Sequence, residues 1–427
     1  MKNPVSRRAL IRYGFSLFQI VLAVTWLADF VVRVDGQEAL RLSLENDQAA
    51  ESRQQAESTI GYYNLLLGPV AWRFEPGFQM QYDSNVRLQQ NDDDGDFIAS
   101  PNLDVQMHWP FSVKNSLDLT LGLGYSMYAI NSDLDEFFIN PESGLSFNIY
   151  AGHWVFNLHD RITITKDGYE NPTVAGNGNN SVLQNSAGAN GLWKLNKLSL
   201  NIGYDHANYL QLASAFQQFN GASENFYLQA GAQLIPEITA GLESGFDLIH
   251  YAEAGPAEPN ANQWNAGGFC GVQLSQYIQA RLDVGYTRYL PAMTSTNSGT
   301  SDLSGSYFQL SAQHRVSKFL NYSLAAGRMT DFALGGIPVN YYFVQLQPNW
   351  RILEGYTLST PFSWEDGTNP YNGGGKFTQY NAGVSIGHNL TKKLYSTLSY
   401  QFIRENSNLS DLNYSIQIVS LNLNYKF

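Results

Sequence analysis

The sequence predicts an all-β fold, a closed antiparallel transmembrane β-barrel of about eighteen strands, with about sixteen as the alternative count. Three observations carry this prediction. Segments alternating apolar with polar residues recur about every twenty residues from Pro69 to Phe427, the length of one strand plus its connection. Their connections alternate between short and long. The last stretch, Tyr414 to Phe427, places Val419, Leu421, Leu423, Tyr425 and Phe427 on one face and Ser420, Asn422, Asn424 and Lys426 on the other, as the two-residue strand period requires. Nothing follows to cover this strand as an edge, so pairing with the first strand of its own chain and closing the wall is the expected solution.

Composition agrees. Charged residues make up only 15% of the 427 residues, aromatics reach 14%, and Tyr and Phe number 26 and 24. Mean hydropathy is nevertheless -0.26, and beyond the amino-terminal run no apolar stretch approaches the length of a membrane helix, so the apolar content is dispersed by alternation. The net charge of -12 and the absence of a Lys/Arg cluster exclude nucleic acid as a partner. With one cysteine, Cys270, the chain has no internal disulfide and no lipidation site near its start.

At the amino end, Lys2, Arg7, Arg8 and Arg12 precede an apolar run from Tyr13 to Val34, which reads as an export signal over residues 1–36. The alternative is an uncleaved anchor, since Asp29 and Arg33 interrupt the run. Residues 37 to about 59 are polar and helix-prone, and 37–68 are expected to form a short periplasmic extension with helical character, with a lumen plug as the alternative. The barrel is expected over 69–427.

The expected strands run Val70 to Tyr82, Phe97 to Trp109, Ser116 to Ala129, Phe138 to Tyr150, His153 to Lys166 and Ser181 to Trp193. They continue with Lys197 to Leu210, Glu224 to Leu234, Glu237 to His250, Asn262 to Leu274, Tyr277 to Leu290 and Ser304 to His314. Phe319 to Thr330, Asn340 to Trp350, Gly355 to Glu365, Lys376 to Gly387, Leu394 to Glu405 and Tyr414 to Phe427 complete the wall. Tight turns such as Ala151-Gly152, Leu195-Asn196 and Ile235-Pro236 alternate with long polar links such as 167–180 and 291–303. Short turns on one side and long loops on the other place both termini in the periplasm of a Gram-negative-type bacterium, with the loops external. Aromatics near strand ends (Tyr82, Trp109, Tyr150, Trp154, Trp193, Tyr209, Trp264, Tyr289, Trp350 and Trp364) suit two interfacial girdles.

A barrel this wide is filled by water or by infolded loops rather than by side chains alone. The lumen-lining candidates are Arg73, Glu75, Asp104, Asp118, His159, Arg161, Asp205, Glu243, Asp247, Arg281 and Asp283, with Glu237, Glu365, Glu405 and Lys426 also read as inward. Acidic residues predominate, so the expected function is passive diffusion of small hydrophilic solutes with a mild preference for cations or neutral molecules. A plugged structural or adhesion barrel is a further alternative.

Other chemistry finds little footing. The run Asn91-Asp-Asp-Asp-Gly-Asp96 supplies carboxylates for a calcium ion but lacks the distant Glu of a full calcium loop, so a solvated external loop is the better reading. Of the seven histidines, His108, His153, His314 and His388 fall at turn-side strand ends and His159 on the lumen face beside Arg161. No nucleophile and histidine share a catalytic spacing, and no metal-ligand pattern or phosphate-binding glycine loop occurs, so no enzyme activity, cofactor or metal is expected. Glycines spread through the strands are expected to relieve crowding and permit curvature.

The carboxyl-terminal alternation, with Leu421, Leu423, Tyr425 and Phe427 on one face and a terminal aromatic, resembles the insertion signal of bacterial outer-membrane barrels, which implies the barrel-assembly machinery and outer-membrane lipid as partners. At the first loop, Tyr82-Asp-Ser-Asn85-Val86, then Asp96-Phe-Ile98 and Pro101-Asn-Leu103, resemble the steps that open the second-type β-barrel porin family and related barrels encoded beside exopolysaccharide export genes. Ser84 and Val86 depart from that pattern. The resemblance implies an outer-membrane pore, with an accessory role in polysaccharide secretion as the alternative function. In that role Tyr128, Tyr227, Tyr289, Tyr307 and Tyr341 would stack on sugars; otherwise they pack the wall.

Overall fold

The computed structural model describes residues 63–90, 94–165, 181–214, 217, 220–252, 260–291, 303–333, 337–369, 375–409 and 413–427. The expected export signal and most of the expected extension lie outside these residues, as do Asn91 to Asp93 of the acidic run.

The strands are β1 (Leu65–Leu67), β2 (Val70–Asp83), β3 (Asp96–Pro110), β4 (Ser116–Tyr128), β5 (Glu136–Ile139), β6 (Gly144–Ala151) and β7 (Trp154–Thr165). They continue as β8 (Val182–Leu195), β9 (Leu198–Gln211), β10 (Gly221–Ile235), β11 (Ile238–Tyr251), β12 (Ala261–Ser275), β13 (Ile278–Pro291) and β14 (Leu303–Arg315). The last are β15 (Leu320–Ala333), β16 (Ile337–Leu353), β17 (Tyr356–Ser359), β18 (Phe362–Asn369), β19 (Gly375–Asn389), β20 (Leu394–Ser407) and β21 (Tyr414–Tyr425). β5 with β6, and β17 with β18, each form one interrupted stave, and β1 only folds back on the start of β2, so the wall has eighteen staves. All pairs are antiparallel between sequence neighbours, and β2 pairs with β21 as well as with β3, which closes the barrel.

Closure fixes which side chains face in. Gln79 lies opposite Asn422 on one side and Ser100 on the other, while Met80 lies opposite Leu421 and Ala99. The first row is polar and points into the lumen; the second is apolar and points out. The same alternation holds on β21, where Tyr414, Ile416, Ile418 and Ser420 are buried and Ser415, Gln417, Val419 and Tyr425 are exposed. Leu421, Leu423 and Tyr425 thus lie on the outer face, with the Tyr425 and Phe427 rings edge to face at 5.1 Å.

The two interruptions have local causes. Pro361 has no N–H to give the ladder; its carbonyl still accepts from Gly383 N at 2.9 Å. In the other stave, residues 140–143 bulge inward, and Ser143 Oγ accepts from Gly122 N at 3.0 Å. Residues 37–59, read as helix-prone, lie outside the described residues; at the described end of the extension Leu65–Leu67 is a strand that pairs with Val70–Trp72 through a turn at Gly68, φ 61°.

Inside the wall, large aromatics lie across glycines placed directly opposite them. Tyr227 covers Gly203, Phe269 covers Gly241, and Tyr307 covers Gly285 and, one strand further along the same row, Gly267. Without a Cβ, each glycine lets a ring lie flat along the wall instead of projecting into the lumen. A Cβ on Gly267 would also meet the Val284 carbonyl at 2.5 Å, whereas one on Gly271 meets only the Thr239 carbonyl, at 3.8 Å. Gly267→Val is therefore expected to destabilise the refolded barrel by roughly 1–3 kcal/mol, read as a lower denaturation midpoint in detergent, and Gly271→Val is expected to fall well short of that.

Candidate transport lumen

A continuous polar belt runs round part of the inner wall. His108 Nδ1 on β3 contacts Asp118 Oδ1 on β4 at 2.6 Å, and Asn148 Nδ2 on β6 donates to the other oxygen of Asp118 at 3.4 Å. Asn157 Nδ2 on β7 donates to Asn148 Oδ1 at 2.8 Å and to Ser146 Oγ at 2.6 Å. His159 then bridges Asn157 Oδ1 through Nδ1 at 2.9 Å and Asp205 Oδ1 through Nε2 at 2.5 Å. His159 and Asp205 are two strands apart and meet only because Gly188 lies between them in the same row, its missing Cβ leaving room for the Asp205 carboxylate. The pair is almost wholly buried, at 4% and 2% side-chain exposure, which makes its mutual satisfaction obligatory.

Two further charged groups stand on the same face. Arg281 on β13 bonds Asp283 Oδ1 at 2.7 Å, reaches Glu243 Oε2 on β11 at 3.5 Å and sits 4.4 Å above the Phe269 ring. Tyr307 donates to Glu243 Oε1 at 2.9 Å. Near the closure, Arg73 bonds Glu75 Oε2 at 2.6 Å, and Lys426 lies 4.0 Å from the other Glu75 oxygen. Asp104 accepts from Asn140 of the inward bulge at 3.3 Å, and Arg161 and Asp247 occupy inward rows opposite Gly144 and Asn225. All eleven lumen candidates thus lie on the inner face, in several separate groups rather than one. Glu237 does not; it lies in the tight turn between β10 and β11 and is exposed. Glu365 and Glu405 share an inward row with Gln379 between them.

Sequence reasoning missed the infolding of the first loop. Residues 84–90, expected as part of a solvated loop, fold back over the inner wall. Val86 packs against Ile98 of β3 and Leu134, and Leu88 packs against Ile403, Tyr414, Ile416 and Ile418 of β20 and β21. Asn85 is 2% exposed. It exchanges hydrogen bonds with Gln89 at 2.8 and 3.0 Å and donates to the Ser415 carbonyl at 3.3 Å. Arg87 caps the arrangement through Asp94 at 3.1 Å and Asp133 at 2.8 Å; the Asp133 hydrogen bonds push its guanidinium pKa above the ordinary value. Asp96 holds the neighbouring connection by accepting from the amides of Ile130 and Asn131, at 3.0 and 2.7 Å. The available signal was the motif Asp83-Ser-Asn85-Val86 with Asp96 and Ile98, whose residues fasten this loop.

The aromatics divide differently from expectation. Tyr150, Tyr209 and Tyr289 lie on inward rows rather than in an outer girdle, because each stands opposite an inward residue, Val155, Gly221 and Gln263 respectively. Tyr82, Trp109, Trp154, Trp193, Trp264, Trp350 and Trp364 do face out. Tyr227, Tyr289, Tyr307 and Tyr341 are 2–7% exposed and Tyr128 packs against the Val86 cluster, so these rings line the wall and offer no open face to a sugar.

No family model and no curated protein sequence matches the chain. Solved structures do. OccK2 (OpdF) of Pseudomonas aeruginosa aligns with a TM-score of 0.50 at 10% identity over 84% of this chain and 98% of that one. OpdO of the same organism gives 0.49 at 13% over 83% and 97%, and OccAB3 of Acinetobacter baumannii 0.48 at 10% over 83% and 99%. The chain shares the barrel fold of OccK2.

Removing the Asn85 side chain is expected to cost the loop roughly 2 kcal/mol. Amide exchange at Leu88 and Gln89 in Asn85→Ala should then rise by more than about tenfold, with the amides of β12 and β13 unchanged.

Proposed function

We propose that the protein is an outer-membrane channel for passive diffusion of small hydrophilic solutes, with the infolded first loop setting the width of one mouth. The observation that carries this is the combination of an eighteen-stave wall, too wide for side chains alone to fill, with an inner face of charged groups and polar belts. Rings laid flat over glycines keep that wall thin, leaving the lumen clear of aromatic bulk. The fold shared with OccK2 supports the same reading.

A mild preference for cations and neutral solutes belongs to the proposal. Carboxylates outnumber cations among the candidates, and the cations Arg73 and Arg281 are already matched by Glu75, Asp283 and Glu243. Asp118, bonded to His108 with 26% of its side chain exposed, and the half-buried Asp104, bonded to Asn140, add negative charge to the inner wall. No enzymatic role is proposed: both ring nitrogens of the buried His159 are already engaged, by Asn157 Oδ1 and Asp205 Oδ1.

In a planar bilayer with a salt gradient, the refolded protein is expected to open in discrete steps with a reversal potential displaced toward that of potassium. An electrically silent barrel would contradict the channel; a displacement toward chloride would contradict the preference alone.

A further inference from the structure

Two carboxylates on the inner wall have no counter-charge. Phe343, Glu365, Gln379, Glu405 and Tyr414 form one inward row across β16, β18, β19, β20 and β21. Glu365 is half-buried, and Glu405 is only 1% exposed. The next inward residue on the loop side is Phe377, and those on the turn side include Ile403 and Ile416, all three buried. Leu88 of the infolded loop packs with Ile403, Tyr414 and Ile416, so the Glu405 carboxylate is set among apolar groups. No Lys, Arg or His among the described residues offsets either acid.

The Glu405 oxygens are unusual in a second respect. Both are buried and neither makes a hydrogen bond, although Gln379 and Tyr414 stand beside them. Gln379 instead donates through Nε2 to Tyr414 OH at 3.0 Å. An isolated carboxylate in such surroundings is costly. A proton on Glu405 removes the charge but leaves its own O–H in need of an acceptor and the second oxygen unsatisfied. A metal ion meets both demands, because one ion takes several oxygens at once and cancels two negative charges. The groups in this row that can ligate are the Glu365 and Glu405 carboxylates, the Gln379 amide oxygen and the Tyr414 hydroxyl, all oxygen, with no His or Cys among them. That set suits calcium, which takes about six to eight oxygens in adaptable geometry and completes its shell with water, rather than zinc or copper.

We propose that Glu365 and Glu405 hold a calcium ion on the inner wall, with Gln379 and Tyr414 as neutral oxygen ligands. The ion ties β18 to β21 and fixes the Tyr414 ring against which Leu88 packs, so the seat of the infolded loop becomes calcium-dependent. Glu365 and Glu405 lie on strands that are not neighbours, and only the register brings them into one row, which is why no ligand spacing shows in the sequence. The inference needs the closed wall and is independent of whether the lumen conducts.

The test is equilibrium dialysis of the refolded full chain against radiolabelled calcium, after treatment with a chelator. The wild type is expected to bind one ion at this site with a dissociation constant of about 1 mM or tighter. Glu405→Gln is expected to weaken that binding by more than about tenfold, and Asp92→Asn with Asp93→Asn, in the acidic run after the infolded loop, to leave it unchanged. No bound calcium, binding unchanged by Glu405→Gln, or binding lost only in the Asp92 and Asp93 variant would overturn the proposal. Should Glu405→Gln and Glu365→Gln both fail to assemble, amide exchange in the wild type decides. Calcium is then expected to slow the amides of Leu88, Ile403 and Tyr414 by more than about tenfold relative to chelator, and equal rates with and without calcium reject the ion.

Discussion

Everything in this molecule depends on the hydrogen bonding between its first long strand and its last. A wall facing hydrocarbon has no water with which to satisfy its backbone, so an open edge would leave a row of amides and carbonyls unpaired. The β2–β21 ladder removes that edge. It also sets the register from which the inward and outward rows follow, because a slip of one residue would exchange every lumen side chain for a lipid-facing one. The fixed rows are what bring His159 and Asp205 together over Gly188 and what stand aromatic rings opposite glycines.

The inner wall solves two demands at once. Burying polar groups requires that each find a partner, and the belt from His108 to Asp205 does so by linking side chains across neighbouring strands rather than by reaching into the lumen. The interior aromatics supply apolar packing along the wall. One sector is closed differently, by main chain: the loop carrying Val86 and Leu88 lies on apolar inner residues of β3, β20 and β21. An apolar patch inside an otherwise polar lumen is thus explained by the loop that covers it.

Much of this was legible in the sequence because a strand declares itself through side-chain period and a turn through its Gly, Asn or Pro. Asn196 at φ 51° and Gly152 at φ 65° occupy turns read from sequence, and the outer row ending in Leu421, Leu423 and Tyr425 follows from alternation. Aromatics near strand ends were harder, because Tyr suits either face and only register placed Tyr150, Tyr209 and Tyr289 inward. The infolded loop was not legible as such: Asn85, Val86 and Leu88 are ordinary loop residues until the wall against which they pack is known.

The most direct test of the account is a cysteine pair at the closure, Gln79→Cys with Asn422→Cys, directly opposite in the β2–β21 register and within the Cα separation of about 4.4–6.8 Å that a disulfide spans. The account predicts an intramolecular cross-link in the assembled protein, forming in high yield under mild oxidation and joining the two ends of the barrel within one chain. Free thiols in a fully assembled protein, or cross-links only between chains, would contradict a closed wall in this register.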